Sequence, residues 1–417
     1  MRVLLSDGSG LTARQVATQL ACAGHHVQAL SPAHLCLSRF TRHVRRVHRV
    51  PACGAAPLAW LDKALEVART ERVEVLFPTQ EQVAVIAAGE AQLRDAGVAT
   101  AVPAFSALAR VHDKLASFST LQELGIPQPA GEVLTSAAEL ARWSHVPAYV
   151  KLPIGTAMQG VVRLDRMDQA GALAARLASD GSFADGGVLV QQPVDGPLTM
   201  VQSVFDHGLL VAFHANARVR EGTRGGACNK RSMHAPALRE QVAHLGSSLG
   251  WHGGLAADII IGPDGPVWID VNPRLVEPGN AWHAGVDLVG ALLAVATSSG
   301  TVKPQPDGGE GVATHQLLLA MSGAAQGKHG RRAVVREVTD AIHHRGVYQG
   351  SAEELLPWRG DPQSLLLLAV AGSMMMLSPR VWRRMVRGAV AQYALSADAW
   401  RTIRAAAGRW SEPRPGS

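Results

Sequence analysis

Apolar runs of strand length alternate with longer segments of mixed polarity along the first hundred residues. The runs are RVLLS (2–6), HVQALS (26–31), VEVLFPT (73–79) and VATAVP (98–103). LTARQVATQLACAG, between the first two, has the periodicity of a helix that ends at Gly24. Strands that alternate with helices at this spacing predict a parallel sheet with right-handed crossovers. We therefore predict an N-terminal α/β domain over residues 1–103.

After this domain the pattern changes to a helix and then paired strands. SALARVHDKLASFSTLQELGIPQP (106–129) predicts one helix, and AYVKLPIGTAMQGVVRL (148–164) predicts two strands around a loop of small residues. Residues 187–205, 208–219 and 254–271 predict further strands, in antiparallel sheets. The predicted fold class is thus mixed α/β and α+β. It has a central domain over residues 104–300 and a mainly helical region over residues 301–417.

A predicted hairpin brings acidic residues together. AADIII and PVWIDV flank the turn sequence GPDG. Pairing of Asp258 with Asp270, through a five-residue connection, puts both carboxylates and Asn272 on one face of the sheet. Strand alternation adds Trp268 to that face and assigns the core-facing side to Val267, Ile269 and Val271. Three oxygen donors suit Mg²⁺, and two bare carboxylates repel each other without a cation, so we predict a magnesium site here.

Two lysines and a loop of small residues fit a phosphate site. Lys151 ends a predicted strand and leads into PIGTAMQG, where Gly155 and Gly160 allow backbone N–H groups to close over an anion. Lys114 follows an aspartate on a separate element. Together with the carboxylate pair, these groups predict a site for a nucleoside triphosphate and its metal ions.

Composition narrows the classes of function. A chain of 417 residues with 47% hydrophobic and 18% charged residues is typical of a globular protein of two or three domains. The net charge of +6 arises mostly from local arginine clusters, so no nucleic-acid partner is expected. Four cysteines without a CxxC pair, and an N-terminus without the pattern of a secretory signal, predict a cytoplasmic location.

The N-terminal sequence DGSG allows a second interpretation, as a dinucleotide-binding turn of a reductase. The third glycine of that fingerprint is replaced by Ala13, and QALSP offers no acid at the end of the second strand to hold a ribose. We therefore interpret Gly8 and Gly10 as a tight strand-to-helix connection.

Four segments of residues 104–300 carry a family resemblance: HDKLASFSTLQELGIPQP, AYVKLPIGTAMQGV, VLVQQPVDGP and GLAADIIIGPDGPVWIDVNPR. Together they resemble the ATP-grasp superfamily, most closely its carboxylate–amine ligase and carbamoyl-phosphate-synthase-like branch. The resemblance implies a pre-ATP-grasp N-terminal domain, a small lobe at about 112–192 and a large lobe at about 193–300. It also implies an ATP-dependent enzyme that activates a small-molecule carboxylate as an acyl-phosphate and transfers it to an amine, forming an amide or peptide bond. The cofactors would be ATP and Mg²⁺, with Mn²⁺ as the alternative metal.

The same resemblance assigns roles to particular residues. ATP would be held by Lys114, Lys151, Gly155, Gly160, Gln191, Gln192 and Val194, the last three beside adenine. The metal ligands would be Asp258, Asp270 and Asn272. Lys151 and Arg274 would be catalytic, with Arg274 at the transferred phosphoryl group. The chain departs from the family pattern in its two aspartates, where glutamates are common, and in lacking an acid at the adenine and ribose positions.

The acceptor region is predicted from a basic segment, ARVREGTRGGACNKRS (217–232). Arg218 and Arg220 would hold a substrate carboxylate through their guanidinium forks, and an exposed connection between strands is the alternative. Glu277 is a further candidate for substrate contact, as is His283. Cys228 is not predicted to be a nucleophile, because no neighbouring base is assured.

Two alternatives stay open from the sequence. The chain is either a ligase or a nucleotide-binding, non-catalytic or membrane-associated regulator on the same scaffold. The apolar segment 364–378 is too short to span a bilayer, so we predict a buried helix, with peripheral membrane contact through 364–390 as the alternative. A homodimer is left open as well.

Overall fold

The N-terminal part of the chain forms a parallel sheet with helices on its faces. The computed structural model describes residues 1–156, 159–326 and 330–411. The first elements are β1 (Arg2–Leu5), α1 (Leu11–Cys22), β2 (His26–Ser31), β3 (Arg46–Arg49), α2 (Pro57–Glu71), β4 (Val75–Phe77), α3 (Val83–Ala88) and α4 (Glu90–Asp95). The sheet order is β3-β2-β1-β4, with every pair parallel as predicted.

The predicted strand at 98–103 is wrong. Ala99 makes only an isolated bridge to Val75 at the edge of the sheet. The chain then leaves this edge and packs against Gly253, which belongs to a different sheet. The approach is close, because a Cβ at Gly253 would lie 2.5 Å from the Ala101 carbonyl oxygen.

Residues 106–129 form two helices rather than the single predicted one: α5 (Phe105–His112) and α6 (Lys114–Glu123). Asp113 between them has an extended backbone, and its carboxylate accepts hydrogen bonds from the amides of Leu115 and Ala116 at 2.8 and 3.3 Å. An aspartate N-cap stabilises a new helix start, which the apolar periodicity alone does not reveal. As a result, Lys114 is the first residue of α6.

The next elements form a small antiparallel sheet covered by two helices. They are β5 (Gly131–Leu134), α7 (Ala137–Ala141), β6 (Ala148–Lys151), β7 (Val161–Leu164), α8 (Asp168–Ser179) and β8 (Val188–Gln191). The sheet order is β5-β8-β6-β7. Leucines of α7 and α8 close a separate core with the valines of β6 and β8.

A seven-stranded sheet forms the second half of the molecule. Its elements are β9 (Leu198–Asp206), β10 (Leu209–Glu221), β11 (Ala227–Ser232), α9 (Pro236–Ser248), β12 (Gly253–Gly262), β13 (Gly265–Asn272), α10 (Gly279–His283), α11 (Leu288–Thr297) and β14 (Ala313–His315). The strand order is β13-β12-β9-β10-β11-β14-β15, where β15 is Ala352–Glu353. The two strands predicted in residues 187–205 therefore belong to different sheets, and residues 192–197 connect them.

The β12–β13 hairpin contains a bulge that changes which side chains face the core. Asp258 pairs with Asp270, as predicted, but the next pair is Ile259 with Trp268, so Ile269 has no partner. An unpaired residue reverses the alternation beyond it. Trp268 is thus buried with Val271, and the prediction that it shares a face with Asp270 and Asn272 is wrong. The bulge also shortens the connection, because Gly262 pairs with Gly265 and leaves a two-residue turn instead of the predicted five.

The C-terminal region is mainly helical, as predicted, with α12 (Leu317–Gln326), α13 (Gly330–Ile342), α14 (Gln363–Leu377), α15 (Pro379–Tyr393) and α16 (Ala397–Ser411). Two of its segments join the rest of the molecule. β14 and β15 complete the large sheet, and Trp400 and Ile403 of α16 are buried in the core of the N-terminal part. The mixed fold class is confirmed, and the domain boundaries stay predictions.

The apolar helix α14 is only partly buried. Leu367, Ala371 and Met375 lie in a C-terminal core, while Leu365 and Leu366 are exposed. Within the described parts of the chain, no helix is both long and apolar enough to cross a membrane. Arg380, Arg383 and Arg384 belong to the segment of the membrane alternative, and their side chains lie outside the described residues.

Two helical glycines predict opposite effects of the same substitution. A Cβ at Gly246 in α9 would lie 2.0 Å from the Phe205 ring, whereas a Cβ at Gly171 in α8 would meet nothing within 4 Å. We expect Gly246→Ala to lower the free energy of unfolding by about 1–3 kcal/mol through overpacking. Gly171→Ala should raise it by about 0.5–1 kcal/mol, since alanine loses less backbone entropy in a helix. Urea unfolding of the two variants checks both signs, and a Gly246→Ala protein as stable as wild type would contradict the close packing.

Candidate active site

Two carboxylates lie opposite each other on adjacent strands, beside a cleft that their neighbours Lys114 and Asn272 line. Asp258 of β12 and Asp270 of β13 are directly paired and only partly buried. Burial and the charge of Asp270 raise the pKa of Asp258 to about 7. Burial alone would raise the pKa of Asp270 too, but Lys114 and Lys151 outweigh it and hold that pKa below its usual range. One carboxylate is thus ready to lose its proton to a cation, and the other is already ionised.

The two predicted lysines meet this pair from different elements. The Lys114 Nζ, at the start of α6, donates to Asp270 Oδ1 at 2.7 Å. The Lys151 Nζ, at the end of β6, donates to the carbonyl oxygen of Ile269 at 2.7 Å. Ile269 is the bulge residue, which has no partner in β12, so its carbonyl is free to accept. Burial lowers the pKa of Lys151 to about 8 despite its acidic neighbours.

The loop between β6 and β7 contributes Ile154, Gly155 and Thr156 to the lining of the cleft. The Leu152 amide donates to the Gly160 carbonyl at 2.8 Å, and Gly160 has a positive φ of 82°. A Cβ at Gly155 would lie 2.0 Å from the Gln159 carbonyl oxygen, so this position accepts only glycine. Residues 157 and 158 lie outside the described part of the chain.

The segment predicted to hold adenine connects the two sheets. Gln191 at the end of β8 is buried, and its Oε1 has no hydrogen-bond partner among the residues that the structure describes. Gln192 has an exposed side chain, and its amide donates to the Ala130 carbonyl at 2.8 Å. Val194 is half-buried. A buried, unpaired amide oxygen suits a ligand that brings its own N–H donor.

Arg274 is held by a residue that sequence reasoning did not identify. Its Nη2 donates to Glu81 Oε1 at 2.8 Å, and both side chains are more than 90% buried. His112 lies on the other side of Glu81, with Nδ1 4.0 Å from Glu81 Oε2. Burial would raise the pKa of Glu81, but Arg274 and His112 hold it below its usual range. No local signal marks this pair, since Glu81 and Arg274 are 193 residues apart.

The cleft beside these groups is small, with a volume of about 20 Å³. Its lining residues are Glu81, His112, Lys114, Ile154, Gly155, Thr156, Val271, Asn272, Pro273 and Leu395. Leu395 lies in the connection between α15 and α16. Trp400 of α16 lies against His112, with their ring centroids 4.7 Å apart. The C-terminal region therefore contributes to the cleft, which the sequence alone did not indicate.

Lys230, Glu277 and Glu354 form a buried cluster of one cation and two carboxylates. The Lys230 Nζ donates to Glu277 Oε2 at 2.9 Å and to Glu354 Oε2 at 3.0 Å, and Gln316 also donates to Glu277. Lys230 is 1% exposed, and its two carboxylate partners hold its pKa above the usual range although burial opposes them. Glu277 has a positive φ of 51°. The predicted acceptor residue Glu277 thus belongs to a charged network rather than standing alone.

The two predicted acceptor arginines are bonded within the protein. Arg220 donates to both carboxylate oxygens of Glu337, at 2.8 and 2.9 Å, and to the Tyr348 hydroxyl at 3.0 Å. Arg218 donates to the Gly225 carbonyl at 2.8 Å and lies 3.3 Å from Glu221. The guanidinium of Arg220 is thus fully engaged in this conformation, whereas the contacts of Arg218 involve its Nη1 alone. Their substrate role stays a prediction.

Cys228 and His283 are the remaining candidates of the acceptor region. Burial raises the pKa of the Cys228 thiol, and its role stays a prediction. His283 ends α10 and is exposed.

The raised pKa of Asp258 predicts a pH effect on the metal-free protein. A carboxyl whose folded pKa is about 7 keeps its proton in the folded state from about pH 4 to pH 7, while the unfolded chain loses it. Wild-type stability therefore falls across this range, because the folded state binds more protons than the unfolded state. We expect Asp258→Asn to remove this loss, so that its gain in melting temperature over wild type is larger at pH 8 than at pH 5. Thermal unfolding with a chelator present checks this, and an equal gain at both pH values would contradict it.

Comparison with known sequences finds one distant relative of part of the chain. No protein-family model matches. Over 271 residues the chain is 25% identical to pyruvate carboxylase 1 of Caenorhabditis elegans, a match that covers 58% of this chain and 22% of that protein. The chain thus spans about a fifth of the length of this curated relative.

Solved structures resemble about three quarters of the chain in their fold. The biotin carboxylase domain dimer of Hydrogenobacter thermophilus 2-oxoglutarate carboxylase, in complex with MgADP, ADP and bicarbonate, has a TM-score of 0.59 at 18% identity, over 75% of this chain and 73% of that one. A biotin carboxylase from Campylobacter jejuni in complex with β,γ-ATP has a TM-score of 0.58 at 14% identity, over 72% of each chain. The L-amino acid ligase of Bacillus licheniformis has a TM-score of 0.53 at 16% identity, over 71% of this chain and 73% of that one. All three are ATP-grasp enzymes. At these identities the likeness concerns the fold, and the chain therefore has the ATP-grasp fold.

Proposed function

We propose that this protein is an ATP-dependent ligase that activates a carboxylate as an acyl-phosphate and transfers the acyl group to an amine. The observation that carries the proposal is the Asp258–Asp270 pair, with Lys114 bonded to one carboxylate and Lys151 bonded to the backbone beside it. Oxygen donors next to two ammonium groups suit a triphosphate with its metal ions, and few other ligands.

The residues present fit ATP and Mg²⁺. Asp258 and Asp270 offer carboxylate oxygens side by side, and Asn272, two residues after Asp270 on β13, adds an amide oxygen that lines the cleft. Gln191 offers a buried oxygen without a partner, which can accept from the amino group of adenine. Mg²⁺, when bound, would neutralise charge on the phosphate oxygens.

The chain's own groups would divide the work of phosphoryl transfer. Lys114 and Lys151 would bind phosphate oxygens, and the loop that contains Gly155 and Gly160 would close over them and exclude water. Arg274 directly follows Pro273, which lines the cleft. A change of its side-chain rotamer would bring the guanidinium toward the transferred phosphoryl group. It would then exchange its bond with Glu81 for one with the substrate, because charge stabilisation is useful only where charge develops.

A second candidate is a nucleotide-binding protein without catalysis. The buried Arg274–Glu81 ion pair favours it, because a guanidinium engaged in this way does not stabilise a transferred phosphoryl group. The amides at the adenine position also differ from the acid that the resemblance leads one to expect. Both candidates bind ATP, so only turnover separates them.

The test is release of ADP and phosphate from ATP and Mg²⁺ while carboxylates and amines are varied. The panel includes amino acids, because an L-amino acid ligase shares the fold, and bicarbonate, because a biotin carboxylase domain of this fold binds it. Hydroxylamine in place of the amine captures an acyl-phosphate as a hydroxamate. We expect release that depends on one carboxylate and yields a hydroxamate with hydroxylamine. ATP binding without release across the panel would overturn the ligase in favour of the binding protein.

A further inference from the structure

Three side chains with metal-binding atoms meet at one end of the large sheet, outside the cleft. Asp206 is the last residue of β9, His207 lies in the turn to β10, and His252 directly precedes β12. One ligand atom from each of them lies within 4.8 Å of the others. The cluster joins residues 45 positions apart, so it results from the pairing of β9 with β12 rather than from a local motif.

The geometry leaves a ligand atom available on each residue. The Asp206 Oδ2 accepts from the Val302 amide at 3.1 Å, so this oxygen holds the side chain in place while Oδ1 faces His252. The His252 Nδ1 lies 3.7 Å from Asp206 Oδ1, too far for a hydrogen bond, and has no partner among the described residues although it is buried. An uncompensated buried nitrogen next to a carboxylate is costly unless something joins them.

The second histidine is close enough to complete the set. The rings of His207 and His252 are stacked with their centroids 4.1 Å apart. His207 is exposed, so its ring can turn toward an ion without displacing packed atoms. The backbone nearby is tied down, since the Gly208 amide donates to the Trp251 carbonyl at 2.6 Å. The His207 ring can therefore adjust, while Asp206 is anchored by its hydrogen bond from Val302.

The cluster is separate from the proposed ATP site. In the β9–β12 register, Phe205 pairs with Gly253 and Met200 pairs with Asp258. Asp258 is five residue steps along the strand from Gly253, which corresponds to about 17 Å at the usual rise. The two sites therefore share a strand but no ligand.

We propose that Asp206, His207 and His252 form a binding site for a divalent transition metal ion, Zn²⁺ first. Two imidazoles and one carboxylate are donors that Zn²⁺, Co²⁺ and Ni²⁺ accept, whereas Mg²⁺ prefers oxygen ligands alone. Three protein ligands leave one tetrahedral position of Zn²⁺ for water. The bound ion would connect the β9–β10 turn to the start of β12, and it would stabilise the folded state because the unfolded chain does not hold the three ligands together.

The experiment is a titration of the full chain with Zn²⁺. Calorimetry measures the affinity, and the melting temperature measures the stabilisation. Excess Mg²⁺ is present throughout, so that the oxygen-donor site in the cleft is occupied. The test variants are His252→Gln and His207→Asn, and the control is His244→Gln, on the exposed face of α9. Asparagine is chosen at position 207 because φ there is 46°, a backbone conformation that asparagine tolerates.

We expect wild type and His244→Gln to bind Zn²⁺ and to melt at a higher temperature with it. His252→Gln and His207→Asn should each bind at least roughly tenfold more weakly, since each loses one of three ligands. Co²⁺ in place of Zn²⁺ should give visible absorption bands that the two variants lose. Equal Zn²⁺ affinity in wild type and in the folded His207→Asn variant would overturn the proposal, as would no Zn²⁺ binding by wild type. Neither result depends on whether the cleft hydrolyses ATP.

Discussion

Replacing Asp270 with asparagine is expected to abolish turnover of ATP while the protein stays folded. The change removes the ionised member of the carboxylate pair and the acceptor of the 2.7 Å hydrogen bond from Lys114. An amide oxygen still coordinates a cation but brings no charge, so the metal and the lysine both lose their main electrostatic partner. Removal of one charge-stabilising group commonly costs on the order of 10²–10³ in rate. ADP release with saturating ATP and Mg²⁺ measures the effect.

The matched control is Asp264→Asn, on the same hairpin. Asp264 is exposed in the two-residue turn, and within the described parts of the chain it forms no ion pair with a lysine. It should keep wild-type turnover, and both variants should keep the wild-type far-ultraviolet circular dichroism. If Asp270→Asn turned over ATP at the wild-type rate, the assignment of the metal site to this pair would be wrong.

Replacing Lys230 with methionine is expected to lower the free energy of unfolding by about 3–5 kcal/mol. Lys230 is 1% exposed and lies between Glu277 and Glu354, the latter fully buried. Methionine fills a similar volume but leaves two carboxylates next to each other without a cation, and an uncompensated buried charge costs more than the ion pair contributes. Urea unfolding followed by tryptophan fluorescence measures the loss.

Two further variants separate charge from shape. Arg231→Met removes a cation from the neighbouring, exposed position of β11 and should change the free energy of unfolding by less than about 0.5 kcal/mol. Adding Glu354→Gln to Lys230→Met should recover part of the loss, because one of the stranded charges is then neutral. If Lys230→Met were as stable as Arg231→Met, the contacts of Lys230 with Glu277 and Glu354 would not stabilise the folded state.

Where a signal is local, the sequence predicted it well. The parallel order of β1 and β2 follows from apolar runs separated by one helix, and the pairing of Asp258 with Asp270 follows from a turn sequence between two apolar strands. The cap at Asp113 was also local, yet an apolar pattern that continues through 106–129 concealed it. An aspartate followed by a strong helix-forming segment is the signal that would have revealed the break.

Where a contact joins distant segments, the sequence carried no comparable signal. The bulge at Ile269 lets β13 pair with β12 while Trp268 packs into the core. The face of Trp268 therefore could not be predicted from strand alternation. The partners of Arg220 and Arg274 lie 117 and 193 residues away. An arginine in a basic loop looks the same in sequence whether it meets a substrate or a glutamate of another helix.

The sequence by itself determined the kinds of element, their order and the chemical groups that reach the ends of the strands, because apolar periodicity and turn chemistry act over a few residues. Only the tertiary structure decided which of those groups are free. Lys114 and Asp270 are brought into contact beside the cleft. Arg220 and Arg274, in contrast, are paired with carboxylates that folding brings to them. The physical reason is that a buried charge requires a partner, and any part of the chain that folding brings close enough can supply one.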